Sequence, residues 1–364
     1  MLVKHANKRL IVMQSFILTL LCLIGLFYMR PAIMTFFIED EVSEEIKYIF
    51  QRRSDALLRE DVDTLQSLYD QSIRYSQWAY EHEIKKMKYL HSWSNKQGVK
   101  FVGIQPNVMI RRASTKGEGY ALNLTVSTKY DYIYENEEII NSFRIGTYHS
   151  IDIEKREEGW VILREWYTDP FADSLHLDDI KTESTKEFIL SQNFRDLSTM
   201  GERRLDALKY ADEFCGAAGE VNHSYNKKYR NYNPQGGDCA NFASQILFEG
   251  GKFRKNSTWN YNKGGSSAWV NAQAFKNFMV YSGRASVIAS GDYNKVYKAA
   301  YKMEPGDFVA YEKKGKITHI SVVSGADSKG YSLVNSHNTD RYRVPWDLGW
   351  SNKGIKFWLV RVHF

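Results

Sequence analysis

The sequence predicts an α+β protein preceded by a transmembrane helix, on three observations. An uncharged run, Leu10 to Met29, stands near the start. Apolar residues then recur near 3.6-residue spacing from Val42 to about Lys100. From Val102 onward the pattern changes to β-branched and aromatic stretches separated by turn residues. Helices first and antiparallel strands after them make an α+β layout.

The chain has 364 residues, room for two or three domains. Hydrophobic residues are 43% of it, enough for a packed core and against wholesale disorder. The net charge is +6, with Lys and Arg spread along the chain, so no nucleic-acid partner is expected. The three cysteines are Cys22, Cys215 and Cys239. They cannot build a zinc site at the usual spacings, and no metal or cofactor is expected.

At ~1.5 Å rise per residue, Leu10–Met29 is about long enough to cross a bilayer. Lys4, Lys8 and Arg9 precede it, and Glu39, Asp40 and Glu41 follow, with Arg30 the only nearby base. The positive-inside rule puts the N-terminus in the cytoplasm and everything after about residue 40 outside. A cleaved signal peptide is the rival, but Met29-Arg30-Pro31 is a poor cleavage site, so an uncleaved anchor over residues 1–38 is expected. The expected localisation is a single-pass cell membrane protein with an extracytoplasmic C-terminal part.

Residues 42–168 read as one unit. Ile46, Ile49, Phe50, Leu57, Leu58, Leu65 and Leu68 mark helices, broken at Asp61-Val62-Asp63. A further helix runs through Trp78, Ile84, Met87 and Leu90 to Gln97-Gly98. Strand-like stretches follow at Val102–Ile104, Tyr120–Val126, Ser142–Tyr148 and Trp160–Trp166. Lys116-Gly117-Glu118-Gly119 and Glu157-Glu158-Gly159 read as hairpin turns. This order resembles the cone-shaped fold of ketosteroid-isomerase-like and nuclear-transport-factor-like domains. No paired Asp/His constellation is visible, and His82 and His91 read as surface residues, so a spacer or binding role is expected. Residues 169–200 lack periodicity and read as a linker.

Residues 201–364 carry the chemistry. A helix is expected over Glu202–Phe214, then a Tyr/Asn-rich loop to Pro234. Gly236-Gly237-Asp238-Cys239 opens a run with apolar pairs Phe242/Ile246 and Ala243/Leu247, ending at Gly250-Gly251. That puts a thiol on the first turn of a buried helix, where free N–H groups and the dipole favour thiolate. A small buried core Cys is the bland alternative. Strands are expected at Phe308–Tyr311, Lys316–Val323, Tyr331–His337 and Lys356–Phe364. His319 shares a strand face with Ser321 and Val323, and Asn335 shares one with His337. If those rows are neighbours, Cys239, the base His319, and Asn335 or His337 as orienter supply a nucleophilic site. The alternative is a pair of structural histidines.

Asp238-Cys239-Ala240-Asn241-Phe242-Ala243-Ser244-Gln245, Pro305-Gly306-Asp307, Thr318–Val323 and Asn335–Asp340 resemble the putative amidase domain of bacterial envelope proteins. That family is similar to NlpC-type and CHAP-type cysteine peptidases with a papain-like fold. The resemblance covers about Glu202 to Phe364. It implies Cys239 as nucleophile and His319 as base, with the third member open between His337 and Asn335. It also implies a papain-like cysteine amidohydrolase domain acting on a cell-wall peptide or peptidoglycan fragment. Ala240 stands where the family often has Thr or Ser. The Cys239 N–H and the Gln235 side chain, beside Asp238, are candidates for the oxyanion or substrate-binding part of the site. Trp259, Tyr261 and Trp269 are candidates for lining a cleft. Two other readings stand beside this one: a non-catalytic envelope-binding protein, and a Cys215–Cys239 disulfide.

Overall fold

The structure is a computed structural model that describes residues 42–157, 159–172, 182–197, 199–220, 223–350 and 354–364. It begins with three helices: α1 over 42–59, α2 (Val62–Ser67) and α3 (Arg74–Gln97). Asp61 starts α2, its side chain accepting the Thr64 N–H at 2.9 Å. Gly98 ends α3 in the left-handed conformation, at φ 74°. Four antiparallel strands follow: β1 (Val99–Lys116), β2 (Gly119–Tyr134), β3 (Asn141–Arg156) and β4 (Gly159–Trp166). The β1–β2 hairpin closes at the Lys116↔Gly119 pair, where the turn residues placed it. These strands run much further than their apolar cores suggested.

The stretch read as a linker contains α4 (Glu183–Leu190). Its buried Ile189 belongs to the core of the preceding segment. Only Phe188, Ile189 and Leu190 are apolar there, too few to show a helical period. The C-terminal part adds α5 (Glu202–Glu213), α6 (Cys239–Gln245), α7 (Ser267–Val270), α8 (Ala272–Tyr281), β5 (Ala285–Gly291) and α9 (Tyr293–Ala300). It ends with β6 (Phe308–Lys313), β7 (Lys316–Ala326), β8 (Ser332–Ser336), β9 (Asp340–Pro345) and β10 (Ile355–Val362).

All ten strands join one sheet in the order β1-β2-β3-β9-β8-β7-β6-β10-β5, with β4 also on β3. The seam is the antiparallel pairing of β3 with β9, at Arg144↔Tyr342, Ile145↔Arg341 and Gly146↔Asp340. β6, β7 and β8 are buried on both faces over most of their length. Phe308, Ala310, Ile320 and Val322 face α5, α6 and α8 in one apolar cluster. Val309, Tyr311 and Val323 join the other cluster with residues 42–171.

The expected transmembrane architecture and cell-membrane localisation are corrected here. The fold is mixed α+β with a large antiparallel sheet, and among the described residues no helix is long and apolar enough to cross a membrane. The longest, α3, carries Glu81, Glu83, Lys85, Lys86 and Lys88 along its length. Leu10–Met29 lies outside the described residues.

Inside the first segment sits a buried charge network that the sequence did not reveal. Arg53 Nη1 lies 2.6 Å from Glu165 Oε2, and Glu165 Oε1 lies 2.6 Å from His149 Nδ1. Tyr167 donates to Glu83, and Lys86 Nζ is 3.0 Å from Asp169 Oδ2. His149 is thus paired with a carboxylate after all, although the two are far enough apart in sequence to hide it.

The seam admits no side chain at Gly146. A Cβ there would lie 2.4 Å from the Ala217 carbonyl carbon and the Ala218 nitrogen, both main-chain atoms. Gly146→Ala is expected to cost ~1–3 kcal/mol by overpacking. An unchanged urea-unfolding midpoint would show that this approach is not close.

Candidate active site around Cys239

Cys239 is the first residue of α6, and the chain reaches it through a bend only glycine adopts readily. Gly236 and Gly237 sit at φ 102° and 141°. A Cβ on Gly237 would strike the Asn338 side chain. The Asp238 N–H donates to Asn338 Oδ1 at 2.6 Å, tying the start of α6 to the β8–β9 turn. Phe242, Ala243, Ile246 and Leu247 bury the helix, which continues as a π-helical turn over Ile246–Gly250.

The main-chain N–H groups of Ile320, Ala240 and Cys239 act on the Cys239 thiol in the direction of thiolate. The position of Ile320 follows from the sheet. The β7–β8 ladder covers Val322 to Ala326 only, so residues 316–321 present an open edge toward β8. Ile320, whose N–H acts on the Cys239 thiol, lies on that edge. These donors favour thiolate, but burial outweighs them and pushes the thiol up to about 11. The expected activation by the helix start is therefore absent at rest. Alkylation of Cys239 by iodoacetamide should be slow at pH 7 and rise roughly tenfold per pH unit toward that value. Peptide mass spectrometry at Cys239 reads this directly, and fast labelling at neutral pH would mean an ionised thiol instead. Cys215 is also buried and free, with its thiol pushed up by burial, so the structure has no Cys215–Cys239 disulfide.

The two polar rows are not neighbours. Val322 pairs directly with Asn335, and directly paired residues share a face. Asn335 and His337 therefore lie on the α6 face with Ile320 and Val322. His319 and Ser321 point to the other face, where His319 packs on Tyr311 and Trp350 at 5.5 and 4.9 Å between ring centres. No hydrogen bond joins His319 to Cys239 among the described contacts. The imidazole Nε2 of His319 is buried without a partner. Burial, with the Arg341 guanidinium nearby, holds His319 well below the usual histidine range and so neutral.

His337 has a different environment. Its ring stacks on Phe242 at 3.8 Å, its Nδ1 lies 2.5 Å from Asp238 Oδ2, and its Nε2 lies 2.7 Å from the Phe214 carbonyl oxygen. Asp238 accepts in addition from the Tyr232 N–H and from Asn241 Nδ2, at 2.9 and 2.8 Å. It organises the loop before α6. Asn335 donates to the Ala211 carbonyl and to Asp212 Oδ1, and accepts from the Arg343 N–H. All of its capacity fastens β8 to α5 and β9, away from His319.

Trp269 is fully buried and donates to Asn241 Oδ1 at 3.0 Å, packed on Trp259 and Tyr261. It supports α6 from within the core instead of lining an open cleft. Gln235 is exposed on a short 3-10 turn, Asn233–Gln235, with no side-chain bond among the described contacts.

Residues missed by sequence reasoning border the site. A cavity of about 340 Å³ is lined by Gly236, Gly237, Asn338 and Thr339 from the C-terminal part and by Tyr148, Trp166 and Thr168 from the first. Asn338 and Thr339 both have positive φ, 69° and 54°. Such residues cluster at functional sites. Asp340 binds the hydroxyls of Tyr225 and Tyr148 at 2.6 and 3.1 Å and fixes this wall.

The architecture defines a class: an α+β domain in which a cysteine-opened helix packs on an antiparallel sheet carrying buried histidines. Residues 201–360 match the family model of a putative amidase domain. This supports the putative amidase family for that part of the chain and suggests amidase-like hydrolase activity. No curated protein matches the chain.

Proposed function

We propose that the C-terminal part hydrolyses an amide bond through a thioester on Cys239. The observation that carries this reading is a free cysteine at the first position of a helix, inside the stretch matched to the amidase family. His319 is the base. A base needs a neutral ring and a free lone pair, and burial gives His319 both. His337 has neither nitrogen free and positions Asp238 and the start of α6. Cys239 and His319 are not hydrogen-bonded to each other among the described contacts, so proton transfer requires the two side chains to approach when substrate binds. Catalytic hydrogen bonds often close only with substrate bound.

In the reaction, Cys239 gives its proton to His319 and the sulfur bonds to the amide carbon. The N–H groups of Ile320 and Cys239 receive the developing oxyanion in this reading. The C–N bond breaks, and the amine leaves with the proton from His319. Water, deprotonated by His319, then cleaves the thioester. A cell-wall peptide is the proposed substrate class, on the family resemblance.

The separation of Cys239 and His319 on two faces favours a second reading, a recognition module without turnover. Incubating the wild-type protein with purified peptidoglycan fragments and identifying products by mass spectrometry decides between them. New amine and carboxyl termini support hydrolysis; intact fragments support recognition.

A further inference from the structure

Among the described residues two tryptophans are exposed, Trp78 at 50% and Trp166 at 70%. Both line cavities on one side of the molecule. Trp166 and Thr168 belong to the 340 Å³ cavity that ends at Gly237, two residues before Cys239. The same two residues line a second cavity of about 570 Å³, which continues past Trp78 and Tyr75 on α3. Both volumes are within the usual range for ligand pockets. The cleft therefore runs from the start of α6 onto the segment before residue 169, outside the family match.

The chemistry of the wall nearest Cys239 narrows the occupant. No side chain lining that cavity is charged. Asn233, Asn338, Thr168 and Thr339 offer amides and hydroxyls, while Trp166 and the half-exposed Tyr148 offer ring faces. Trp166 has no stacking or cation partner among the described contacts, so its face is free. Neutral donors and acceptors beside an open aromatic face suit a hydroxyl-rich ring whose C–H faces are apolar and whose rim makes hydrogen bonds. An anionic or cationic ligand would find no counter-charge there.

We propose that the 340 Å³ cavity is a neutral-oligosaccharide subsite, with one sugar ring stacked on Trp166, and that the amide cut at Cys239 is borne on a glycan; the 570 Å³ cavity beyond it, where His82, Arg164 and Glu165 also stand, is not part of that subsite. The position of the scissile bond rests on the hydrolase reading; the sugar subsite does not. The test is therefore binding without turnover, on the full chain carrying Cys239→Ala. Tryptophan fluorescence and calorimetry are followed with two soluble tetrasaccharides, one with acetamido groups and one without, and with an uncharged tetrapeptide.

Saturable binding of either sugar is expected, weakened ~10-fold or more by Trp166→Ala, the effect of removing a central aromatic anchor. Tyr281→Ala, at an exposed aromatic remote from the cleft, should leave it unchanged. Three results would overturn the proposal: no sugar binding, sugar binding indifferent to Trp166→Ala, or tetrapeptide binding that depends on Trp166 while both sugars fail. Circular dichroism of Trp166→Ala confirms that the variant is folded. If the sugars bind but no amide is ever cut, the hydrolase reading fails and the subsite stands.

Discussion

Cys239→Ala is expected to lower amide hydrolysis by about four orders of magnitude or more, the scale seen when a nucleophile is removed from a catalytic unit. The fold should survive. No side-chain hydrogen bond depends on the sulfur among the described contacts, and α6 stays anchored by Phe242, Ala243, Ile246 and Leu247. A stability loss of about 1 kcal/mol is the typical scale for one buried substitution. Circular dichroism and urea unfolding, run beside product analysis, separate lost chemistry from lost structure. Full activity in the alanine variant would end the thiol mechanism. His319→Gln sharpens the assignment: removing the base should depress turnover while leaving the Cys239 environment on the opposite face intact. If His319→Gln is fully active, another group takes the proton.

How much of this was legible in the sequence depends on the distance over which each feature is decided. Local features were readable. The turn at Lys116–Gly119, the helix opened by Cys239 and the strands around Phe308–Tyr311 and His319–Val323 each follow from residues within a few positions. Alternation also correctly sorted His319 with Ser321, and Asn335 with His337. What alternation cannot give is the parity between strands. Moving the β7–β8 pairing by one residue exchanges the faces. The Val322↔Asn335 pair, with the shift between Val323 and Gly325, set that parity against the assembled triad. β9 was missed because Asp340-Arg341-Tyr342-Arg343 reads as solvent-exposed, yet Asp340 and Arg341 are buried at the seam with β3. That seam joins the two halves, and the cleft along Trp166 exists only because of it.

The second large effect is expected at Arg53, far from Cys239. Arg53 is buried with Glu165 at 2.6 Å and Glu83 at 3.8 Å. Burial alone would raise the pKa of the Glu165 carboxyl, but Arg53 and the bond from His149 outweigh it and hold Glu165 at about 2. Arg53→Met keeps much of the side-chain volume and removes the charge, leaving a buried carboxylate with only His149 beside it. Breaking one partner of a buried pair costs ~3–5 kcal/mol. The sign with pH follows from the same pair. The folded pKa of Glu165 lies below its unfolded value of ~4.3, so its contribution is complete above that value and is lost as pH falls through about 2. In Arg53→Met the folded pKa rises, and the part of the acid-limb slope between those two values that belongs to Glu165 should shrink. Urea unfolding of both proteins from pH 2 to 7 measures both effects. The double variant Arg53→Met with Glu165→Gln should recover part of the loss, because it removes the stranded charge. A single-variant loss under ~1 kcal/mol would mean that water reaches the network and that the pair is not buried as the distances imply.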